Sequence, residues 1–143
     1  MTEASANILL VEDDGELLEI LTYVLEDEGH RVMAVADGDS ALKMARTEAF
    51  DAVILDISMA GMDGCEVGRA LRSDPVTAGV LIAVHTALSE EEVRKTFADY
   101  DLFLAKRDDA DALCKAIDDM IQSRRATLAS AGEPAAGELP AAA

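Results

Sequence analysis

Aromatic side chains make up only 3% of this 143-residue chain. Any core must therefore be assembled from Leu, Ile, Val, Ala and Met, and half of the residues are hydrophobic. Basic residues are also scarce, 12 against 29 acidic ones, for a formal net charge of -17. That balance repels phosphate backbones and anionic membrane surfaces, and no Lys/Arg cluster offsets it, so no direct nucleic-acid or membrane contact is expected. The two cysteines, Cys65 and Cys114, lie far apart and make no metal-ligand spacing; they read as two reduced thiols. Residues 1–7 hold Glu3 but no Lys or Arg, so no basic signal-peptide start is expected. No apolar run approaches the length of a membrane span. A cytoplasmic chain is expected, long enough to bury a core without disulfide or metal staples.

What is present is a regular alternation of strand and helix patterns. Apolar runs at Asn7–Val11, Arg31–Ala36, Ala52–Asp56, Val80–Thr86 and Leu102–Ala105 read as five strands. Between them, apolar residues recur at helical spacing: Leu17, Leu18, Leu21, Val24 and Leu25; Ala41, Leu42, Met44 and Ala45; Val67, Ala70 and Leu71. Gly29 is a natural stop for the first helix, and Asp63 a candidate cap for the third. Ser89 followed by Glu92 has capping-box spacing for a fourth helix containing Val93 and Phe97, whose narrow apolar stripe marks it as the least stable. A last helix is expected from about Asp109 to Arg125, with Leu113, Ala116, Ile117, Met120 and Ile121 buried. Such alternation implies βαβ units: an α/β fold with a doubly wound, five-stranded parallel sheet and five helices in three layers. Residues 1–125 form the domain; 126–143, rich in Ala, Gly and Pro, read as a disordered tail, with no second domain expected.

The chain is organised around Asp56, where a buried strand runs straight into one carboxylate. In an open parallel sheet the ligand crevice lies at the carboxyl ends of the strands. Those ends carry Glu12, Asp13 and Asp14 on the first strand, Asp56 on the third, Thr86 on the fourth and Lys106 on the fifth. Taken singly, each has an ordinary explanation: a turn former, a helix cap, a strand residue, a surface lysine. Taken jointly, several carboxylates in one site repel one another unless a cation intervenes, and Mg²⁺ with its preference for hard oxygen ligands suits them. A hydroxyl and an ammonium beside them are donors for phosphoryl oxygens, which completes a set able to move a phosphoryl group onto a carboxylate.

Over residues 6–123 these stretches resemble the receiver domains of bacterial two-component response regulators. The matching residues are Ile8–Asp14, Val53–Ile57 with Gly61-Met62-Asp63-Gly64, Thr86-Ala87, and Phe103–Lys106. The resemblance implies a flavodoxin-like fold and a single-domain phosphorelay protein that catalyses only its own phosphorylation and dephosphorylation. It implies that Asp56 accepts a phosphoryl group from a histidine kinase or histidine phosphotransfer protein. Asp13 would bind Mg²⁺ directly, Glu12 through water, and the Ser58 carbonyl would join Asp56 in the metal shell. Asp14 then falls one place too late, which favours capping for it. Thr86 and Lys106 would engage the phosphoryl group, and Phe103 would move inward with Thr86 to switch the surface of helix 4, strand 5 and helix 5. That surface would control a downstream protein or relay the phosphoryl group, from a monomer or a weak phosphorylation-dependent dimer. Leu88, two residues beyond Thr86, cannot position an attacking water, so slow self-dephosphorylation is expected.

Three departures from the family pattern stand out. Arg107 follows Lys106 where proline usually forms a cis bond; a cis bond before a non-proline costs roughly 2.5–4 kcal/mol, so a trans bond and a reshaped loop are expected. Ala60 replaces a common proline, and His85 occupies a usually apolar place, reading as a neutral packed or hydrogen-bonded histidine. Two other function classes stay open at this point. One is a phosphorylation-independent interaction module; the other is a Mg²⁺-dependent phosphohydrolase with Asp56 as nucleophile, for which neither a second acid/base nor a substrate cap is found.

Overall fold

A computed structural model describes residues 5–59, 61 and 63–132; Ala60, Met62 and the tail from residue 133 lie outside the described residues. Five strands, β1 (Asn7–Val11), β2 (Arg31–Val35), β3 (Ala52–Asp56), β4 (Leu81–Thr86) and β5 (Leu102–Ala105), form one sheet. All pairs are parallel and the order is β2-β1-β3-β4-β5. The helices are α1 (Gly15–Asp27), α2 (Gly38–Thr47), α3 (Gly64–Ser73), α4 (Glu90–Arg94) and α5 (Ala110–Gly132).

The two faces of the sheet own separate cores. Leu9, Val11, Val53, Leu55, Ile82 and Val84 pack with α2, α3 and the α4 region through Ala41, Val67, Leu71, Val93 and Phe97. Ile8, Leu10, Ile54 and Ala83 pack with α1 and α5 through Leu21, Leu25, Leu113, Ile117 and Ile121. Every residue of β3 and β4 is buried, as a central parallel strand covered on both faces must be.

Local chemistry sets the helix boundaries. The Asp14 side chain accepts from Glu16 N–H and Leu17 N–H, so it caps α1 as its position in the sequence suggests. Asp63 and Glu66 form a complete capping box at α3; at α4 the Ser89 hydroxyl accepts from Glu92 N–H, the forward half of one. Past the end of α1, Gly29 at φ 98° donates to the Glu26 carbonyl and His30 N–H to that of Leu25. That is a Schellman closure, which needs the left-handed conformation glycine supplies.

Two helix ends differ from expectation. α4 stops at Arg94, so Phe97 is not helical; it lies just past the turn at residues 95–96 yet stays buried in the core. Five residues with one buried side chain cannot sustain a longer helix. α5 continues seven residues past Arg125, through the helix-forming run Ala126–Ala131, so residues 126–132 of the expected tail are helical, and the rest of it lies outside the described residues. Arg124 donates to the Gly79 carbonyl and Arg125 to that of Ser5, tying this stretch down beyond the last core residue, Ile121. No described helix is long and apolar enough to cross a membrane.

Behind the end of β3, the α3 backbone lies close against the strand at Gly64. A Cβ added at Gly64 would sit 2.2 Å from the Asp56 carbonyl oxygen and 2.6 Å from the Ile57 Cα, both backbone atoms that cannot step aside. Gly64→Ala is therefore expected to destabilise the protein by about 1–3 kcal/mol in urea unfolding. Gly15→Ala, where a Cβ would meet nothing within 4 Å, serves as the neutral control.

Candidate phosphoryl and metal site

Strand alternation delivers the site. Leu10, Ile54 and Leu104 face the α1/α5 side, so Glu12, Asp56 and Lys106, two residues further along each strand, emerge on that same side. The register aligns Val11 with Leu55, so Glu12 and Asp56 leave neighbouring strands at one level. β1 is also where the winding reverses, since β2 lies on one side of it and β3 on the other. Crevices form at such a switch point. A cavity of about 500 Å³ at the opposite edge, lined by Phe50, Val76 and Leu128, lies away from these side chains.

Glu12 and Asp56 are each only 1% exposed, whereas Asp13, next in the chain, is exposed. Carboxylate oxygens of all three lie within 4.8 Å of one another. The Lys106 Nζ sits 3.3 Å from Asp56 Oδ1 and 3.3 Å from Glu12 Oε1. Asp56 Oδ1 also accepts from Ser58 N–H at 3.1 Å, and Glu12 Oε2 from Asp14 N–H at 3.2 Å. Asp56 Oδ2 and Glu12 Oε1 are buried with no hydrogen bond. Two buried carboxylate oxygens without hydrogen bonds, beside a third carboxylate, make a fit for a small hard cation, and the all-oxygen donor set suits Mg²⁺ better than a soft metal.

The charges report the same frustration. Burial first, then the Glu12 carboxylate so close beside it, push Asp56 up to about 7 against the opposing pull of Lys106. For Lys106, burial works to lower the ammonium, and the charges of Asp56 and Glu12 outweigh it, leaving its pKa above the ordinary lysine value. Burial, and next the Lys106 charge, hold His85 below the usual histidine range, so it is neutral at pH 7. Its Nδ1 is buried without a hydrogen bond, which makes it a packed histidine.

The remaining sequence candidates reach the same edge by other routes. Thr86 is fully buried, and its hydroxyl oxygen accepts from Leu88 N–H at 3.1 Å rather than engaging Asp56. Phe103 pairs with Val84 on the other face of the sheet and is half-buried against the α2/α3 core. No cis peptide bond occurs among the described residues, so Lys106–Arg107 is trans, and the chain turns there through Asp108 N–H to the Ala105 carbonyl. Sequence reasoning did not find the partners that fix the surrounding loops. Arg72 of α3 donates to the Ala78, Val80 and Asp99 carbonyls and to Asp101 Oδ2. A helical arginine on a polar face carries no pattern that announces this.

Comparison with known proteins agrees with this geometry. The family model for the response regulator receiver domain matches residues 8–118. The DNA-binding response regulator MtrA of Mycobacterium tuberculosis is 42% identical over 83 residues, 58% of this chain and 35% of that protein. The transcriptional regulatory protein GlrR of Escherichia coli is 34% identical over 123 residues, 85% of this chain and 28% of that protein. The chain thus spans about a third of the length of such curated relatives. Among solved structures, the chemotaxis protein CheY4 of Vibrio cholerae superposes with a TM-score of 0.76 at 26% identity, covering 81% of this chain and 98% of that one. The receiver domain of a Pseudomonas aeruginosa sensor histidine kinase gives 0.76 at 28% identity, covering 82% and 98%, and holds a magnesium ion in its active-site cleft.

A pH dependence follows from Asp56. Its folded pKa is raised, so its stabilising contribution is complete below pH 3.8 and is lost as pH rises through about 7. Metal-free protein is expected to lose thermal stability from pH 4 to 7 more steeply than Asp56→Asn does. Excess Mg²⁺ should raise the melting temperature more at pH 8 than at pH 5, where protons compete for the same oxygens. Melting curves at several pH values, with and without Mg²⁺, check both trends.

Proposed function

This chain belongs to the response regulator receiver domain family, and we propose that Asp56 is its phosphoryl acceptor. The observation that carries the reading is the asymmetry of the Asp56 carboxylate: Oδ1 is held by Lys106 and Ser58 N–H, while Oδ2 is buried without a partner. Oδ2 thus carries no hydrogen bond that attack on phosphorus would have to break. With a phosphohistidine of a histidine kinase or phosphotransfer protein as donor, the Asp56 O–P bond forms as the N–P bond breaks, and the imidazole leaves with the bonding pair.

The carboxylates of Asp13, Glu12 and Asp56, together with the Ser58 carbonyl, would hold Mg²⁺. When bound, the cation neutralises the acids and the incoming phosphoryl oxygens. Lys106, already within 3.3 Å of Asp56 Oδ1, is placed to pair with the transferred group. The Thr86 hydroxyl keeps a free proton while its oxygen accepts from Leu88 N–H, and it can be redirected to a phosphoryl oxygen. Phe103 and Thr86 lie on one sheet face of neighbouring strands, so displacement of one opens room for the other. The population of α4–β5–α5 arrangements then shifts, and a protein partner reads the change.

Incubating the protein with Mg²⁺ and a small acyl phosphate is expected to add one phosphoryl mass to the wild type and none to Asp56→Asn. Leu88, 39% exposed beside Thr86, offers no group to position water, so the adduct should outlast the seconds timescale once donor is removed. Intact mass spectrometry over time checks both. An unmodified wild type would point to an interaction module that needs no phosphorylation, and turnover of unrelated phosphoesters to a hydrolase.

A further inference from the structure

Around Phe103 the chain carries side chains that the phosphoryl site does not use. Tyr100, in the α4–β5 connection, has its ring between Phe97 and Phe103, with both centroid separations at 6.2 Å and tilts of 52° and 51°. Such spacing and tilt are those of attractive aromatic pairs. Its hydroxyl donates to the Glu90 carboxylate, in the first turn of α4. Arg94, one turn along, acts on the same hydroxyl electrostatically.

The segment that carries Tyr100 is itself fixed. Arg69 Nη1 donates to the Thr96 carbonyl at 2.9 Å, and Arg72 to the Asp99 carbonyl and Asp101 Oδ2, each at 2.9 Å. Asp101 N–H donates to the Ile82 carbonyl at 2.8 Å, and Asp101 Oδ2 accepts from Ile82 N–H. Phe97 is seated on Gly68 of α3 so closely that an added Cβ there would meet its ring at 2.7 Å. The backbone under Tyr100 and the ring behind it therefore stay in place. What can move is Phe103 on one side and the five-residue α4, with only Val93 buried, on the other.

We propose that Tyr100 is a positioning residue of the switch, whose ring backs Phe103 and whose hydroxyl, held by Glu90, latches the first turn of α4 in the unphosphorylated arrangement. The inference rests on the phosphoryl reading of Asp56. When Thr86 turns to the phosphoryl group, Phe103 gains room on the shared face and leaves Tyr100. The hydroxyl–Glu90 contact then loses its backing, and α4 is released. A latch on one state lowers the apparent affinity of any ligand that favours the other.

The test uses Tyr100→Phe, which keeps the ring and removes only the hydroxyl, Glu90→Ala, their double variant, and Glu91→Ala as a control in the same helical turn. Without ligand, Tyr100→Phe and Glu90→Ala should speed hydrogen exchange in peptides covering residues 88–97, and Glu91→Ala should not. With Mg²⁺ and beryllofluoride as the phosphoryl mimic, the first two should bind roughly two- to fivefold tighter than wild type, with the double variant no tighter than either single one. Wild-type exchange and affinity in Tyr100→Phe would overturn the latch. So would effects that simply add in the double variant, or an equal effect of Glu91→Ala. A wild type that binds no beryllofluoride would instead overturn the phosphoryl reading, while the ligand-free exchange comparison still decides the latch.

Discussion

Two buried carboxylates facing each other across β1 and β3, with one ammonium between them, set the terms for everything at this edge of the sheet. Glu12 and Asp56 are each 1% exposed and share Lys106. One positive charge cannot balance two buried negative ones, and exposed Asp13 adds a third at the rim. The conflict can be relieved by a proton on Asp56 or by a divalent cation among the three acids. A site held in balance by competing partners is suited to report the arrival of a new charged group.

The fold keeps that conflict from relaxing. Asp56 cannot swing to solvent, because the strand behind it is buried on both faces and α3 touches its backbone at Gly64. Glu12 cannot turn outward, because the alternation of β1 that buries Leu10 also points Glu12 inward. The two hydrophobic cores supply the favourable free energy that offsets the desolvation of these acids. Their apolar residues are Leu, Ile, Val and Ala for the most part, as the shortage of aromatics demands.

Much of this was legible in the sequence because the signals were local. Each strand is an unbroken apolar run ended by a polar residue, and each cap is a Ser or Asp at a fixed offset from its helix. The acids at the strand ends were legible for the same reason. What stayed hidden depends on contacts distant in sequence. Glu12 and Asp13 are adjacent acids in the sequence, and the alternation of β1, with α1 and α5 packed on one face, makes one buried and the other exposed. His30 shows no motif, yet its Nδ1 accepts from Ala6 N–H and its Nε2 lies 2.6 Å from Asp118, 88 residues away. That acceptor role leaves the ring proton on Nε2, donated to Asp118, and so ties α5 to the base of β1. Arg72 and Tyr100 were missed alike, because a polar anchor between loops has no periodicity. The helix ends at Arg94 and Gly132 were misjudged because an apolar stripe measures packing, and packing and helicity part company there.

The distribution of these anchors decides where a change at the site can travel. α1 and α5 are bound to the sheet by a shared core and by His30–Asp118. α3 is bound through Arg72 to the loops on either side of β4, and it cannot slide without breaking several hydrogen bonds at once. α4 has one buried side chain, a single capping hydroxyl and the Tyr100 contact. Local stability in a protein follows the density of such ties, and the element with fewest opens first. Thr86 and Phe103 lie on the sheet face that α4 covers, with Val93 and Phe97 packed into the same core. A shift of Thr86 meets strongly held structure in β3 and α3, and weakly held structure only in α4. If Asp56 takes up a phosphoryl group as proposed, the direction of the response would be set by which helix the chain left loosely tied, as much as by the chemistry at Asp56.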